Sequence, residues 1–367
     1  MTAPRIEIDL DKIHQNARSL VRRLALRGIA VVGVTKASLG ATEIAREMCR
    51  AGVVSLGDSR LENIETMRKG GVEASMMLLR SPMLSQVGRV VENVEQSLNT
   101  EIVVIRALSR AAQCLGRIHG IVLMVELGDL REGILPRDLK GIAAEVLKLP
   151  NLVLKGIGAN LACLNGVVPD AQKMTELSAL ADSIEASLGL TLEVISGGNS
   201  ANLSWVFGAA EIGRVNQLRL GESILLGRET LDRRAIQGLS TDAFTLVAEV
   251  IESKRKPAQP WGEIAQAAFE VKPIAAQHGN TCRAVLALGR QDTDPEGIVA
   301  AAGFTILGAS SDHLMVDCGQ QLLPVGSEMC FQLNYSALVR SMTSPFVAKV
   351  MKNPSRDHLE PIGVPAS

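Results

Sequence analysis

The stretch Ile29–Leu56 reads IAVVGVTKASLGATEIAREMCRAGVVSL. Ile29 to Thr35 is a run of β-branched and small apolar residues, and a polar turn around Lys36 follows. Apolar residues then recur at helical spacing from about Ala41 to Ala51, and Val53 to Leu56 is again a short apolar run. A strand, a turn, a helix and a second strand in that order make the repeating unit of a parallel sheet. The unit continues outward along the chain. A helical segment covers Leu61–Lys69, and strand-like runs follow at Ser75–Leu79, Val94–Leu98, Ile121–Val125, Val153–Ile157, Leu192–Ile195 and Val215–Leu220. Eight candidate strands with helices between most of them predict a (β/α)8 TIM barrel. A doubly wound open sheet leaves the same periodic trace and stays as the alternative at this point.

After about Asp232 the texture changes. Phe244–Glu252, Arg283–Leu288, Thr305–Leu307, Leu314–Asp317 and Glu328–Leu333 are strand-like runs without long helices between them. The expected organisation is a barrel over residues 1–232, whose first residues can pair with the following domain, and a mostly β C-terminal domain over residues 233–367. Lys254–Pro260, with three cations and two prolines, reads as a solvent-facing loop.

Composition narrows the function classes. The 38 Lys+Arg against 39 Asp+Glu leave no basic excess for nucleic acid, and 2% aromatic residues leave few stacking platforms for single strands. The opening MTAPRIEIDLDK is charged where a secretory signal needs an apolar stretch. No apolar run approaches the roughly 20 residues of a membrane span. These features predict a cytoplasmic protein with no membrane partner. The cysteines Cys49, Cys114, Cys163, Cys282, Cys318 and Cys330 show no metal-ligand spacing, so they are expected to be small buried apolar residues and no metal site is expected.

In a βα barrel the polar residues just after each strand form the active-site rim. Lys36 ends the first strand, where an aliphatic wall would suit a Schiff-base amine; a lysine that has simply reached solvent is the plainer reading. Ile195–Leu203, ISGGNSANL, places Asn199 and Ser200 in a glycine-rich turn before a helix, the arrangement that holds a phosphate or merely caps a helix. Arg219 leaves the last barrel strand, followed by Gly221 and Glu222. Arg131 and Asn160 follow the fifth and sixth strands. One lysine, one Gly/Ser turn and two arginines on one rim point to an anionic aromatic cofactor.

With these residues in view, Ile6–Asn16, Val34–Ala37, Asn199–Ala201 and Arg219–Gly221 resemble the fold-type III pyridoxal-phosphate enzymes of the alanine racemase type. Gly128–Gly133, Gly158–Cys163, Gly289–Asp292 and Gly308–Leu314 resemble the alanine/ornithine racemase branch. The resemblance implies an isomerase that interconverts L- and D-amino acids, ornithine-like or otherwise small or basic, by exchanging the α-proton on pyridoxal 5'-phosphate. It makes Lys36 the lysine that holds the cofactor and one of two acid–base groups. Arg131 falls near the cofactor's phenolic oxygen, and Asn160 stands where a histidine packs on the ring. Asn199 and Ser200, with the backbone of Gly221 and Glu222, fall at the phosphate cup, and Thr343 falls roughly where a phosphate-binding tyrosine sits. Arg219 would face the pyridine nitrogen and oppose its protonation, where barrel decarboxylases place a carboxylate.

Three departures stand out. Met124 replaces the lysine that alanine racemases carbamylate, and Gly40 replaces a phosphate-contacting tyrosine. The second catalytic base, a tyrosine from the partner's C-terminal domain, has no counterpart, because Tyr335 is the one tyrosine in the chain and matches a structural position. Among Asp292, Asp312, His313, His278 and Cys282, the adjacent Asp312 and His313 rank first as its replacement, reaching a neighbouring subunit's site in a homodimer. Glu126, Asp129 or Glu222 could receive a basic substrate's ammonium. A barrel decarboxylase or lyase and a non-catalytic cofactor carrier are the alternative functions.

Overall fold

The computed structural model describes residues 3–208, 211–269 and 279–353. The described chain forms two compact units, one of residues Lys12–Thr241 and one of Met1–Asp11 with Asp242–Ser367. The strands are β1 (Arg5–Asp9), β2 (Ala30–Val34), β3 (Ser55–Asp58), β4 (Met76–Leu78), β5 (Gln96–Asn99), β6 (His119–Val125), β7 (Leu152–Ala159), β8 (Val194–Gly198) and β9 (Gln217–Leu220). They continue as β10 (Phe244–Pro257), β11 (Asn280–Leu286), β12 (Ile298–Ala300), β13 (Thr305–Ala309), β14 (Leu314–Asp317), β15 (Glu328–Leu333) and β16 (Ala348–Lys352).

In the larger unit β2 to β9 close into a parallel barrel in chain order, with β9 pairing back onto β2. This is the (β/α)8 arrangement, and it excludes the open sheet. Each expected strand is present within a few residues of its predicted span. With few aromatic side chains available, the barrel interior is filled by Val32, Met77, Leu98, Val122 and Met124, all buried. Met124 therefore occupies core volume, which accounts for an apolar residue at that position. At the β7–β8 contact a side chain on Gly156 would fall 1.8 Å from the Val194 carbonyl, so the strands approach this closely only over glycine.

The barrel unit runs to Thr241, nine residues past the boundary read from texture, because Asn16 ties the 227–241 segment down. Its amide donates to the carbonyls of Ile224 (3.0 Å) and Ser240 (2.8 Å), and its oxygen accepts the Ser240 N–H (2.8 Å). At the start of β6 the buried His119 ring lies 2.7 Å from Ser97 Oγ and 3.1 Å from the Val94 carbonyl. Burial lowers its pKa to about 4.

The second unit is an eight-stranded, mainly antiparallel sheet with the order β12-β15-β10-β11-β14-β13. β1 joins it, antiparallel to β10 and parallel to β16. Alternation on β15, where Met329, Phe331 and Leu333 are buried between exposed neighbours, is the period-two pattern of a sheet with one covered face. One expectation fails here. Lys254–Pro257 is not loop but the end of β10, paired residue by residue from Lys254–Arg283 to Pro257–Asn280. The cations are accommodated because they face solvent, and the proline is accommodated because it is the strand's last residue.

The buried His119 generates a pH dependence. Its folded pKa lies below the unfolded value, so the unfolded state binds the extra proton and stability falls as pH drops from about 6.5 towards 4. The full loss is on the order of 3 kcal/mol. Urea midpoints measured across that range should fall in the wild type and fall less steeply in His119→Gln; equal slopes would remove His119 as the cause.

Candidate active site

The C-terminal ends of the barrel strands gather the predicted residues that belong to this unit. Lys36 begins a short 3-10 turn directly after β2, Lys36–Ser38. Its side chain is exposed, and it makes no hydrogen bond or ion pair among the described residues. The turn is pinned from below. Thr35 Oγ1 donates to Asp58 Oδ2 (2.7 Å), and Asp58 also accepts the Arg60 N–H (2.9 Å) and the Asn63 amide (3.0 Å). Burial raises the Asp58 carboxyl pKa despite these donors. The chain then enters the left-handed region at Leu39 and Gly40, and a Cβ on Gly40 would meet the Asn63 carbonyl oxygen at 2.7 Å. No side chain fits there, which is the physical reason a tyrosine is missing at that position.

Arg219 lies on β9 with its guanidinium buried in the barrel mouth. It donates to Ser196 Oγ, to the Ala159 carbonyl (2.8 Å) and to Asn160 Oδ1 (3.4 Å), all neutral oxygens. Burial, with the nearby Arg131 cation, lowers its pKa to about 10. Asn160 Oδ1 also accepts from Asn199 Nδ2 (3.2 Å), which donates in addition to the Leu161 carbonyl (2.9 Å) and to Cys163 Sγ (3.5 Å). The Asn160 amide nitrogen is shielded from solvent with no partner among the described residues. Next to this group the Ser200 and Ser223 hydroxyls are 2.9 Å apart, and the Ser223 N–H donates to Ser200 Oγ at 3.2 Å. These serines lie where the chain leaves β8 and β9.

Two rim loops are held by carboxylates that accept backbone N–H groups. In the loop after β6, Glu126 Oε1 accepts from Gly128 (2.5 Å) and Leu130 (3.1 Å). Arg131, on the same loop, is ion-paired with the adjacent Glu132. Burial works to lower the Arg131 pKa, but Glu132 and other anionic neighbours outweigh it and raise it. Asp129 is buried and accepts N–H bonds from Cys163 (3.2 Å), Leu164 (3.0 Å), Asn165 (3.2 Å) and Val167 (3.2 Å) in the loop after β7. Burial would raise its carboxyl pKa, yet the four donors outweigh this and lower it. Glu222 is ion-paired with Arg233, and burial raises its carboxyl pKa against that pairing.

The other expected residues belong to the β unit. Asp312 accepts from His313 Nδ1 (2.9 Å), Ser310 Oγ (3.2 Å) and Ser311 Oγ (3.3 Å) on the exposed turn between β13 and β14. The carboxylate–imidazole pair therefore exists. Thr343 donates to the carbonyls of Val339 and Arg340, both at 2.9 Å, within its own helix. Asp292 is buried and bonded to the Gly289 N–H and the Ser344 hydroxyl, and Cys282 is buried, so both serve the sheet's interior. His278 lies outside the described residues. The uniform burial expected for cysteines also fails: Cys282 and Cys318 are buried, whereas Cys114, Cys163 and Cys330 are exposed. Sequence reasoning passed over Asp58, Glu132, Ser196 and Ser223. Asp58 carried a usable signal, since it is a carboxylate directly ending a barrel strand.

The alanine racemase N-terminal domain family model matches residues 8–229. The chain belongs to that family. Ornithine racemase from Acetoanaerobium sticklandii is 37% identical over 94% of this chain and 99% of its own length. Lysine racemase from Thermotoga maritima is 36% identical over 95% and 99%. Alanine racemase from Streptomyces lavendulae superposes with a TM-score of 0.75 over 98% of this chain and 100% of its own, at 21% identity, and so shares the fold. The chain is a pyridoxal-phosphate-dependent amino-acid racemase, and the rim fits that cofactor: an unengaged lysine amine, a buried guanidinium bonded only to neutral oxygens, and an orphaned amide nitrogen face one mouth. No helix among the described residues is long and apolar enough to cross a membrane.

If Asp129 organises the β7 loop as its four bonds indicate, Asp129→Ala should speed amide hydrogen exchange at Cys163, Leu164, Asn165 and Val167 by at least about 10-fold, the equivalent of losing roughly 1.4 kcal/mol of local protection. Unchanged exchange there would remove Asp129 from that role.

Proposed function

We propose that this racemase acts on a basic amino acid of the ornithine or lysine kind and that Glu126 receives the side-chain ammonium. The observation that carries this reading is the state of the three carboxylates that are candidates for the ammonium. Asp129 is saturated by backbone donors and Glu222 is held by Arg233, whereas Glu126 engages its backbone donors through Oε1 alone and has Oε2 without a hydrogen bond among the described residues. The names of the two relatives that align over almost the whole chain agree with a basic substrate.

In this reading Lys36 Nζ holds the cofactor and takes or returns the α-proton on its side. Bound pyridoxal phosphate supplies an electron-withdrawing ring that spreads the charge left on the α-carbon. Arg219 would donate a hydrogen bond to the ring nitrogen and, as a cation, oppose its protonation. Arg131 would serve the phenolic oxygen. Asn160, held by Asn199, would offer the ring its unpartnered amide nitrogen. Ser200 and the N–H groups of Gly221 and Glu222 would receive the phosphate, whereas the Thr343 hydroxyl is already donated within its own helix. The hydrogen bonds that hold Arg219, Asn160 and Asn199 position these donors before substrate arrives.

A homodimer is part of the same proposal. Leu130, Leu164 and Val168 are exposed on the two rim loops, at 71%, 63% and 53%, and a second copy covering them would close the site. The Asp312–His313 pair would be presented by such a partner. A cytoplasmic location accords with six cysteines carried as free thiols.

Lys36→Ala should abolish the visible absorbance of cofactor-loaded protein and all α-proton exchange, with the fold intact by circular dichroism; retained turnover would sink the assignment. Glu126→Gln should raise KM for ornithine and lysine by about 10-fold or more, as expected for losing a charge-assisted hydrogen bond of roughly 1.5–3 kcal/mol, with kcat little changed. An unaltered KM for both substrates would exclude Glu126 as the ammonium's partner.

A further inference from the structure

Racemisation needs a proton taken from one face of the α-carbon and another delivered to the opposite face. Lys36 supplies one face. The barrel's circular order puts the loop after β7 three strands round from β2, nearly across the mouth, since four strands would be diametrically opposite. Cys163 stands on that loop with an exposed thiol. Its placement is built: its backbone N–H is anchored on Asp129 (3.2 Å), and its Sγ accepts from Asn199 Nδ2 at 3.5 Å. Asn199 is the residue that also holds Asn160, whose shielded amide nitrogen lacks a partner and marks where a ligand group belongs. Arg131 and Arg219 both interact electrostatically with Cys163. An amide donor and two neighbouring cations thus accompany the sulfur that would carry the proton.

We propose that Cys163 Sγ is the proton donor and acceptor that works opposite Lys36. The step is redox-neutral. In one direction Lys36 Nζ accepts the α-proton as the Cα–H bond breaks, and the Cys163 S–H bond breaks to form a new Cα–H bond on the other face, leaving a thiolate beside Arg131 and Arg219. In the reverse direction the thiolate accepts and the Lys36 ammonium donates. Asp312 and His313, on the β unit, are the competing candidates, but no observation ties them to this cluster.

The proposal rests on Lys36 as the first base, so the experiment separates the two. Protein loaded with pyridoxal phosphate is given each enantiomer of ornithine and of lysine separately in heavy water, and α-deuterium incorporation and chirality are read together. In Cys163→Ser and Cys163→Ala, racemisation should fall by at least about 100-fold in both directions, whereas incorporation without inversion should persist for one enantiomer and be lost for the other. As a readout independent of turnover, alkylation of Cys163 by iodoacetamide, located by peptide mass, should slow when pyridoxal phosphate and a substrate are bound, with the exposed Cys114 and Cys330 as internal references. Unchanged racemisation in both variants, symmetric loss from both enantiomers, or alkylation that substrate does not slow would overturn the proposal. So would a one-sided loss in His313→Gln with Cys163→Ser unaffected. A Lys36→Ala protein that still traps the cofactor on borohydride treatment would overturn the reading of the rim, and the proposal with it.

Discussion

A guanidinium buried at the mouth of a barrel, with no carboxylate hydrogen-bonded to it among the described residues, is the constraint around which this site is arranged. An arginine moved out of water is tolerated only if its donors find acceptors. Arg219 finds a serine hydroxyl, a strand-end carbonyl and an asparagine oxygen, contributed by β8 and by the end of β7 and its loop. Those acceptors are neutral, so the positive charge is not cancelled locally. A buried uncancelled cation favours an electron-rich acceptor such as an unprotonated ring nitrogen and disfavours a second cation. Asn160 then has a second task, because the oxygen that accepts from Arg219 also accepts from Asn199, and its own nitrogen is left for a ligand.

The loops around this centre share one device. Asp58, Glu126 and Asp129 all accept backbone N–H groups next to barrel strands, so carboxylates act here as internal caps for irregular chain. Charge-assisted bonds of this type are stronger than neutral ones. They fix the turn that presents Lys36 and the two loops that present Arg131 and Cys163. The same chemistry removes Asp129 from substrate binding, since a carboxylate with four donors has little capacity left.

Much of this was legible in the sequence. The alternation of β-branched runs with helical periodicity located all eight barrel strands, because parallel strands buried on both faces must be continuously apolar. The strand-end rule then placed Lys36, Arg131, Asn160, Asn199, Ser200 and Arg219 on one rim. What was not legible depends on contacts distant in sequence. The reach of β10 through Lys254–Pro257 follows from its pairing with β11, which no local signal reports. The glycine at position 40 acquires its reason only from the Asn63 carbonyl it packs against. The exposure of Cys163 reflects a loop held by Asp129, 34 residues earlier, whereas composition treats every unpaired cysteine as a core residue.

The central claim is that buried Arg219 faces the cofactor's ring nitrogen and keeps it free of a proton. The nitrogen-15 spectrum of protein loaded with ring-labelled pyridoxal phosphate tests this most directly. The account predicts the chemical shift of an unprotonated, hydrogen-bonded pyridine nitrogen. A shift characteristic of a protonated pyridinium would contradict it.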